Sequence, residues 1–173
     1  MKTCTKKFLL LFFLFVYTSV DGQPGFNMLH DLDLPTNHLR KMLVHNDTVI
    51  GYGLAYPSDT VGSRQGLLLT KFDSNGVLLK SNLLLEPFGD FYSIGKNWGD
   101  ITTTFDGGYA MTASALVGNS AYLIKIDHDL EVEFIKEYPD TVNLSNFSYK
   151  VLETKDGYLL YGDIQMPDFN LRS

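Results

Sequence analysis

The stretch Lys71-Phe72-Asp73-Ser74-Asn75-Gly76 returns 54 residues later as Lys125-Ile126-Asp127-His128-Asp129-Leu130. A second stretch, Asp106-Gly107-Gly108-Tyr109, returns about 50 residues later as Asp156-Gly157-Tyr158. A repeat with a period of about 50 residues is typical of proteins built as an array of similar units. The sequence therefore predicts two complete units and the beginning of a third.

Each complete unit is predicted to hold two β-hairpins. Short runs of alternating apolar and polar residues are separated by Asp, Asn and Gly, which form turns. The Asn-Gly at the end of Asp73-Ser74-Asn75-Gly76 is a strong hairpin signal, because both residues tolerate positive φ. The predicted strands are 41–44, 48–53, 66–72, 77–85, 100–105, 109–116, 121–126, 130–138, 148–154 and 158–163.

Four short strands per unit favour an all-β fold, a partial β-propeller of about two and a half four-stranded antiparallel blades. A β-sandwich and a β-solenoid are the competing folds. However, solenoid coils are usually shorter than 50 residues, and a sandwich would not repeat its turn residues in order. Because propellers close with about 4 to 8 blades, the chain is expected to be a fragment or one part of a larger assembly. An exposed face on the third blade is expected to promote self-association.

The predicted organisation begins with a secretory signal peptide. Lys2, Lys6 and Lys7 precede an apolar run from Phe8 to Val16, followed by a plausible cleavage site after Gly22. A membrane anchor is the alternative, but it would need about 20 apolar residues. The predicted segments are the signal peptide at 1–22, a lead segment at 23–40, the first blade and a linker at 41–99, the second blade at 100–147 and an incomplete third blade at 148–173.

Charge and cysteine content exclude several classes of function. Without residues 1–22 the chain carries 11 Lys and Arg against 19 Asp and Glu, a net charge of −8. This charge argues against a nucleic-acid partner, which would require phosphate neutralisation. Cys4 is the only cysteine, so the mature chain is expected to have no disulfide, cysteine nucleophile or thiolate metal site.

The repeats resemble those of secreted proteins common among type IX secretion cargo. The resemblance rests on Thr104-Phe105-Asp106-Gly107-Gly108-Tyr109, on Tyr122-Leu123-Ile124-Lys125-Ile126-Asp127, and on Leu69 to Gly76 in the first unit. It covers about residues 41–163. It implies a β-propeller in a secreted or cell-surface protein, and it is specific for the architecture rather than for one activity.

The acidic turns are predicted to shape the backbone rather than to bind metal or catalyse. Asp73 and Asp127 begin like calcium loops, but position 12 of each would be Leu84 or Tyr138 instead of a glutamate. Asp106 and Asp156 stand between two strands, where hairpin connections are expected. His30 and His38, beside Asp31 and Asp33, have no sequence pattern that fixes a metal geometry. We expect no catalytic residue, metal or cofactor within this chain.

The segment from Phe88 to Asp100 is the strongest candidate for ligand contact. It links the first two units and contains Phe91, Tyr92 and Trp98, whose rings could stack on a sugar or hold a peptide. The alternative is that these rings fill the space between adjacent sheets.

The sequence supports two hypotheses for the function of this protein. The first is a secreted, non-enzymatic propeller repeat protein that binds a glycan or a protein as a scaffold. The alternative is a fragment of a secreted propeller enzyme that acts on polysaccharide, with its catalytic residues outside this chain.

Overall fold

All regular structure in the described part of the chain is β-strand. A computed structural model describes residues 30, 32–58, 64–87, 92–94, 99–115, 120–139 and 145–165. Within these ranges there is no helix. The strands are β1 (Thr36–His45), β2 (Thr48–Tyr56), β3 (Gly66–Asp73), β4 (Leu78–Leu84), β5 (Tyr92–Ser93), β6 (Asp100–Thr103), β7 (Tyr109–Ala115), β8 (Ala121–Ile126), β9 (Val132–Tyr138), β10 (Ser145–Thr154) and β11 (Gly157–Gln165).

The predicted all-β class and its hairpins are confirmed, with differences at the ends of strands. β1 begins at Thr36, inside the segment predicted as a lead, and β10 begins at Ser145, inside the predicted second unit. β5 was not predicted, because two residues are too few to show a periodic pattern.

The strands form three antiparallel sheets. Sheet 1 has the order β1-β2-β3-β4, sheet 2 contains β5 to β9, and sheet 3 pairs β10 with β11. In sheet 2, β5 and β6 pair one after the other with the same edge of β7. Together they replace one long first strand that is interrupted between Ser93 and Asp100.

Sheets 1 and 3 repeat the same register. Lys41 pairs with Tyr52 in sheet 1, as Lys150 pairs with Tyr161 in sheet 3, and both first strands bulge just before the lysine. The corresponding pair in sheet 2 is Asp100 with Thr112. The interruption between β5 and β6 therefore stands where the other two sheets have a one-residue bulge.

Glycine is required opposite each bulge. A Cβ added to Gly53 would lie 2.0 Å from the carbonyl oxygen of His38, and one added to Gly162 would lie 2.1 Å from that of Phe147. Ala113 occupies the corresponding position in sheet 2, where the facing strand is interrupted. At this register position, glycine is therefore present in the two sheets whose first strand is bulged and absent from the sheet whose first strand is interrupted.

The sheets stack in chain order, with sheet 2 in the middle. We call the side of a sheet turned towards the following sheet its front face and the other side its back face. The larger core lies between the front face of sheet 1 and the back face of sheet 2, and includes Ile50, Tyr52, Leu67, Leu69, Tyr109, Met111, Tyr122 and Ile124. Ala110, Leu123 and Val151, with Tyr158 and Leu160 against them, form a smaller core between sheets 2 and 3.

The front face of sheet 3 is apolar and exposed. Leu159 and Tyr161 occupy the register positions of Ile50 and Tyr52, which are fully buried under sheet 2. In sheet 3 they are 59 % and 66 % exposed. This is the face expected from the sequence to promote self-association, which remains a prediction.

Replacing Gly53 with alanine should destabilise the fold by about 2 kcal/mol, because the new methyl group would be forced into the His38 carbonyl. Gly107→Ala is the matched control. Gly107 has φ of 85°, and a methyl group added there would meet nothing within 4 Å, so its cost is conformational and about 1 kcal/mol. Urea unfolding followed by circular dichroism measures both, and an equal or smaller loss for Gly53→Ala would contradict the steric explanation.

Candidate binding surfaces

One of the three predicted ligand-contact residues lies in the described structure, and it is buried. Tyr92, in β5, is fully buried, and its ring packs edge-on against Tyr122 with centroids 5.2 Å apart. Burial, with the charges of Glu86 and Glu137, raises the pKa of Tyr92. Its place between sheets 1 and 2 matches the packing alternative. Phe91 and Trp98 lie outside the described residues.

The turns at Asp73 and Asp127 have the same geometry, as the repeat predicts. Oδ1 of Asp73 accepts backbone N–H groups of Asn75 at 2.9 Å and Val77 at 2.8 Å. Oδ1 of Asp127 accepts the equivalent groups two and four residues later, at 2.8 and 2.9 Å. The N–H group of Val77 contributes most to lowering the pKa of Asp73, and the N–H group of Glu131 contributes most to lowering the pKa of Asp127. Both side chains thus organise their own turns.

Asp106 likewise belongs to its hairpin and to an ion pair. It accepts hydrogen bonds from the Thr104 hydroxyl and from the backbone N–H of Gly108 at 3.0 Å, and it lies 2.9 Å from Nζ of Lys125. The bond from Thr104, followed by that from Lys125, strongly lowers the pKa of Asp106. In the described ranges, no group of three or more His, Cys, Asp or Glu side chains is placed to hold a metal ion.

Lys125 is a buried cation between two carboxylates. Its side chain is 2 % exposed, and Nζ lies 2.9 Å from Asp106 and 3.1 Å from Glu133. Burial acts to lower the pKa of Lys125, but the bonds to the two carboxylates outweigh it and raise the pKa overall. Both carboxylates are about half exposed. The ion pairs therefore stabilise a buried lysine of sheet 2, and the two carboxylates remain in contact with solvent.

The histidines are dispersed. Nε2 of His30 lies 2.7 Å from the carbonyl oxygen of Gly76, and its ring contacts Phe72. His38 is exposed on β1. His30 thus holds the start of the described chain against the Asp73 turn.

The first strands of the three sheets lie side by side, with β6 between β1 and β10. Three residues at the same register position meet there. Oδ1 of Asp100 is 3.2 Å from Nζ of Lys150 and 3.9 Å from Nζ of Lys41. Asp100 is buried, whereas the Lys150 side chain is largely exposed. We refer to Lys41, Asp100 and Lys150 as the inner ion row.

Two hydrogen bonds to backbone carbonyls next to the inner ion row also connect the sheets. The buried Tyr52 hydroxyl donates to the carbonyl of Thr112 at 2.6 Å, from sheet 1 to sheet 2. The N–H of Gly99 donates to the carbonyl of Ser148 at 2.7 Å, from sheet 2 to sheet 3. The sequence repeat did not indicate these contacts, because each depends on how one sheet is seated on the next.

An open groove of about 440 Å³ lies between sheets 2 and 3. Ala121 and Tyr138 line it from sheet 2, and Tyr158, Leu160 and Gly162 line it from sheet 3. Its volume falls in the usual range for ligand sites, and its lining combines tyrosine rings with polar groups, among them Ser148 and Asp163. The sequence did not indicate this groove, because one wall comes from β8 and β9 and the other from β10 and β11, and their approach depends on how sheet 3 packs on sheet 2.

Comparison with family models, curated proteins and solved structures finds no match to this chain. Within the described residues there is no helix with the length and apolar character needed to cross a membrane.

Replacing Asp100 with asparagine should destabilise the protein by about 1 to 2 kcal/mol, because the buried negative charge that pairs with two ammonium groups is lost. Asp129→Asn is the control. That carboxylate is exposed and paired only with the exposed His128 among the ion pairs of the described chain, so its loss should cost less than about 0.5 kcal/mol. Equal losses in urea unfolding would show that the inner ion row contributes nothing specific.

The Lys125 site should respond asymmetrically to mutation. In Lys125→Met, both freed carboxylates can hydrate, so the expected loss is at most about 1 kcal/mol. In the double variant Asp106→Asn with Glu133→Gln, a buried ammonium group is left without its counter-charges, and the expected loss is about 3 kcal/mol. Thermal and urea unfolding test the order, and a larger loss for Lys125→Met would reverse the interpretation.

Proposed function

We propose that this protein is a secreted, non-enzymatic repeat protein of the β-propeller type, and that it acts as a binding scaffold. The observation that carries the proposal is the serial stacking of three antiparallel sheets through equivalent faces. Successive sheets present the front face of one to the back face of the next, with a shared register.

The inner ion row supports the propeller arrangement. Blades of a propeller are arranged around a central channel, so equivalent positions on their innermost strands should approach one another. Lys41, Asp100 and Lys150 are such positions, and they lie within ion-pair distance in chain order. A sandwich of two sheets would give no reason for three equivalent residues to meet.

The use of the acidic side chains supports binding over catalysis. Asp73 and Asp127 are engaged by their own turns, and Asp106 by its hairpin and Lys125. Among the described residues, two accessible surfaces could receive a partner: the apolar front face of sheet 3, and the groove beside Tyr138 and Tyr158, whose lining is partly aromatic and partly polar. Such surfaces hold partners by burial of apolar area.

Secretion and membership of the type IX cargo are the parts of the proposal that rest on sequence. They are supported by the charged and apolar run in residues 1–22 and by the resemblance of the Asp-Gly-Gly-Tyr repeats.

The proposal predicts binding without turnover. The purified protein is incubated with neutral, acidic and amino-sugar polysaccharides and with a library of extended peptides. Retention is measured by native affinity electrophoresis and interferometry, and new reducing ends are counted over one day. We expect saturable retention of at least one ligand class and no reducing ends above a protein-free blank. Saturable production of reducing ends would overturn the non-enzymatic role.

A further inference from the structure

One edge of β11 has no partner strand among the residues that the structure describes. The equivalent strands of the other sheets, β2 and β7, are paired on both edges. Their second partners are β3 and β8. An unpaired edge presents a row of backbone N–H and C=O groups that can hydrogen-bond to an added strand.

The third strands of sheets 1 and 2 show what such a strand would do. The back face of β8 carries Tyr122, Ile124 and Ile126, which belong to the core shared with sheet 1. The opposing wall of that core includes Leu67 and Leu84, which pair with each other across β3 and β4. A third strand thus inserts alternate large side chains between its own sheet and the preceding one.

The groove lies where the third strand of sheet 3 would insert its side chains. Ala121 pairs with Tyr138 across β8 and β9, at the register positions of Leu67 and Leu84. Leu84 is 9 % exposed, whereas Tyr138 is 36 % exposed and lines the groove. The position that sheet 2 covers on sheet 1 is therefore uncovered on sheet 2.

We propose that the groove and the free edge of β11 bind an extended β-strand of another polypeptide, with large apolar or aromatic side chains at alternate positions. The inference rests on the proposed scaffold function, since it uses the equivalence of the three sheets. Backbone pairing to β11 gives affinity for any extended chain, and the groove selects the alternate side chains.

The lining residues refine the chemistry of the strand. Ala121 stands where sheet 1 has Leu67, and Gly162 contributes no side chain, so the groove accepts a tyrosine or phenylalanine. Asp163 lines the same groove, which favours a lysine or arginine near the end of the strand. The β8 sequence, with Tyr122, Ile124 and Lys125, has this character.

The probe is a fluorescently labelled peptide with the sequence of residues 120–129, compared with a scrambled peptide. Fluorescence anisotropy should show saturable binding to the purified protein. Leu160→Asp should weaken binding at least about tenfold, because Leu160 lines the groove. The matched control, Leu79→Asp, alters a leucine of β4 in sheet 1 that is 54 % exposed and does not line the groove, so it should change binding less than about twofold.

Leu160 also packs against the core between sheets 2 and 3, so circular dichroism must show that Leu160→Asp is folded. If that variant is unfolded, peptide binding is measured with Tyr138→Glu instead. Tyr138 is partly exposed on sheet 2, and its replacement should also weaken binding at least about tenfold.

Backbone methylation tests strand pairing directly. In an antiparallel pair, alternate residues of the added strand direct their N–H groups to one neighbour. We therefore compare two peptides, one N-methylated at the odd-numbered residues and the other at the even-numbered residues. Only the peptide whose methyl groups block the N–H groups facing β11 should lose binding. Equal effects of the two would mean apolar adhesion and would overturn the proposal.

Three other outcomes would also overturn it. One is absence of binding at about 1 mM peptide. Another is binding only after deletion of residues 166–173, which would make those residues the occupant. The third is a dimer that Tyr138→Glu converts to a monomer, which would assign the groove to a second copy. None of these involves reducing-end release, so the non-enzymatic scaffold function is tested separately.

Discussion

The central strands of sheet 2 are buried on both faces, so the sheet needs a covering layer on each side. Every residue of β7 is buried, and β8 is buried from Tyr122 to Ile126, so sheet 2 requires a sheet on each side. Sheet 1 supplies the larger cover and sheet 3 the smaller. Hydrophobic burial of this kind is non-directional, and hydrogen bonds such as that from the Tyr52 hydroxyl to the Thr112 carbonyl orient one sheet on the next. The stacking order and the positions of the groove and the inner ion row all depend on the packing of sheet 2 between sheets 1 and 3.

Two buried charges of this stack, Lys125 and Asp100, are balanced in different ways. Lys125 is neutralised by two residues of its own sheet, Asp106 and Glu133. The inner ion row instead joins three sheets through one buried carboxylate. Asp100 lies between Lys41 and Lys150 and so links the first strands of the three sheets. Lys150 remains accessible to solvent.

The hairpins could be predicted because their signals are local. Asp73 and Asp127 bond to N–H groups only two and four residues away. Their role can therefore be predicted from five consecutive residues. The contacts between sheets could not be predicted in the same way. Tyr92 could stack on a ligand or pack inside, and only the position of Tyr122 decides between these roles. The groove and Asp100 were missed because their partners come from separate units, where spacing in sequence gives no distance in space.

The interruption between β5 and β6 has a consequence for how this repeat can vary. The hairpin end fixes the register of each sheet, and sheet 2 keeps that register although its first strand is broken. Chain length at this point is therefore independent of strand pairing. The same position in sheets 1 and 3 holds one bulged residue beside Gly53 or Gly162. The first strand of a sheet can thus accommodate inserted segments of different length at this point without any change in the pairing of the sheet.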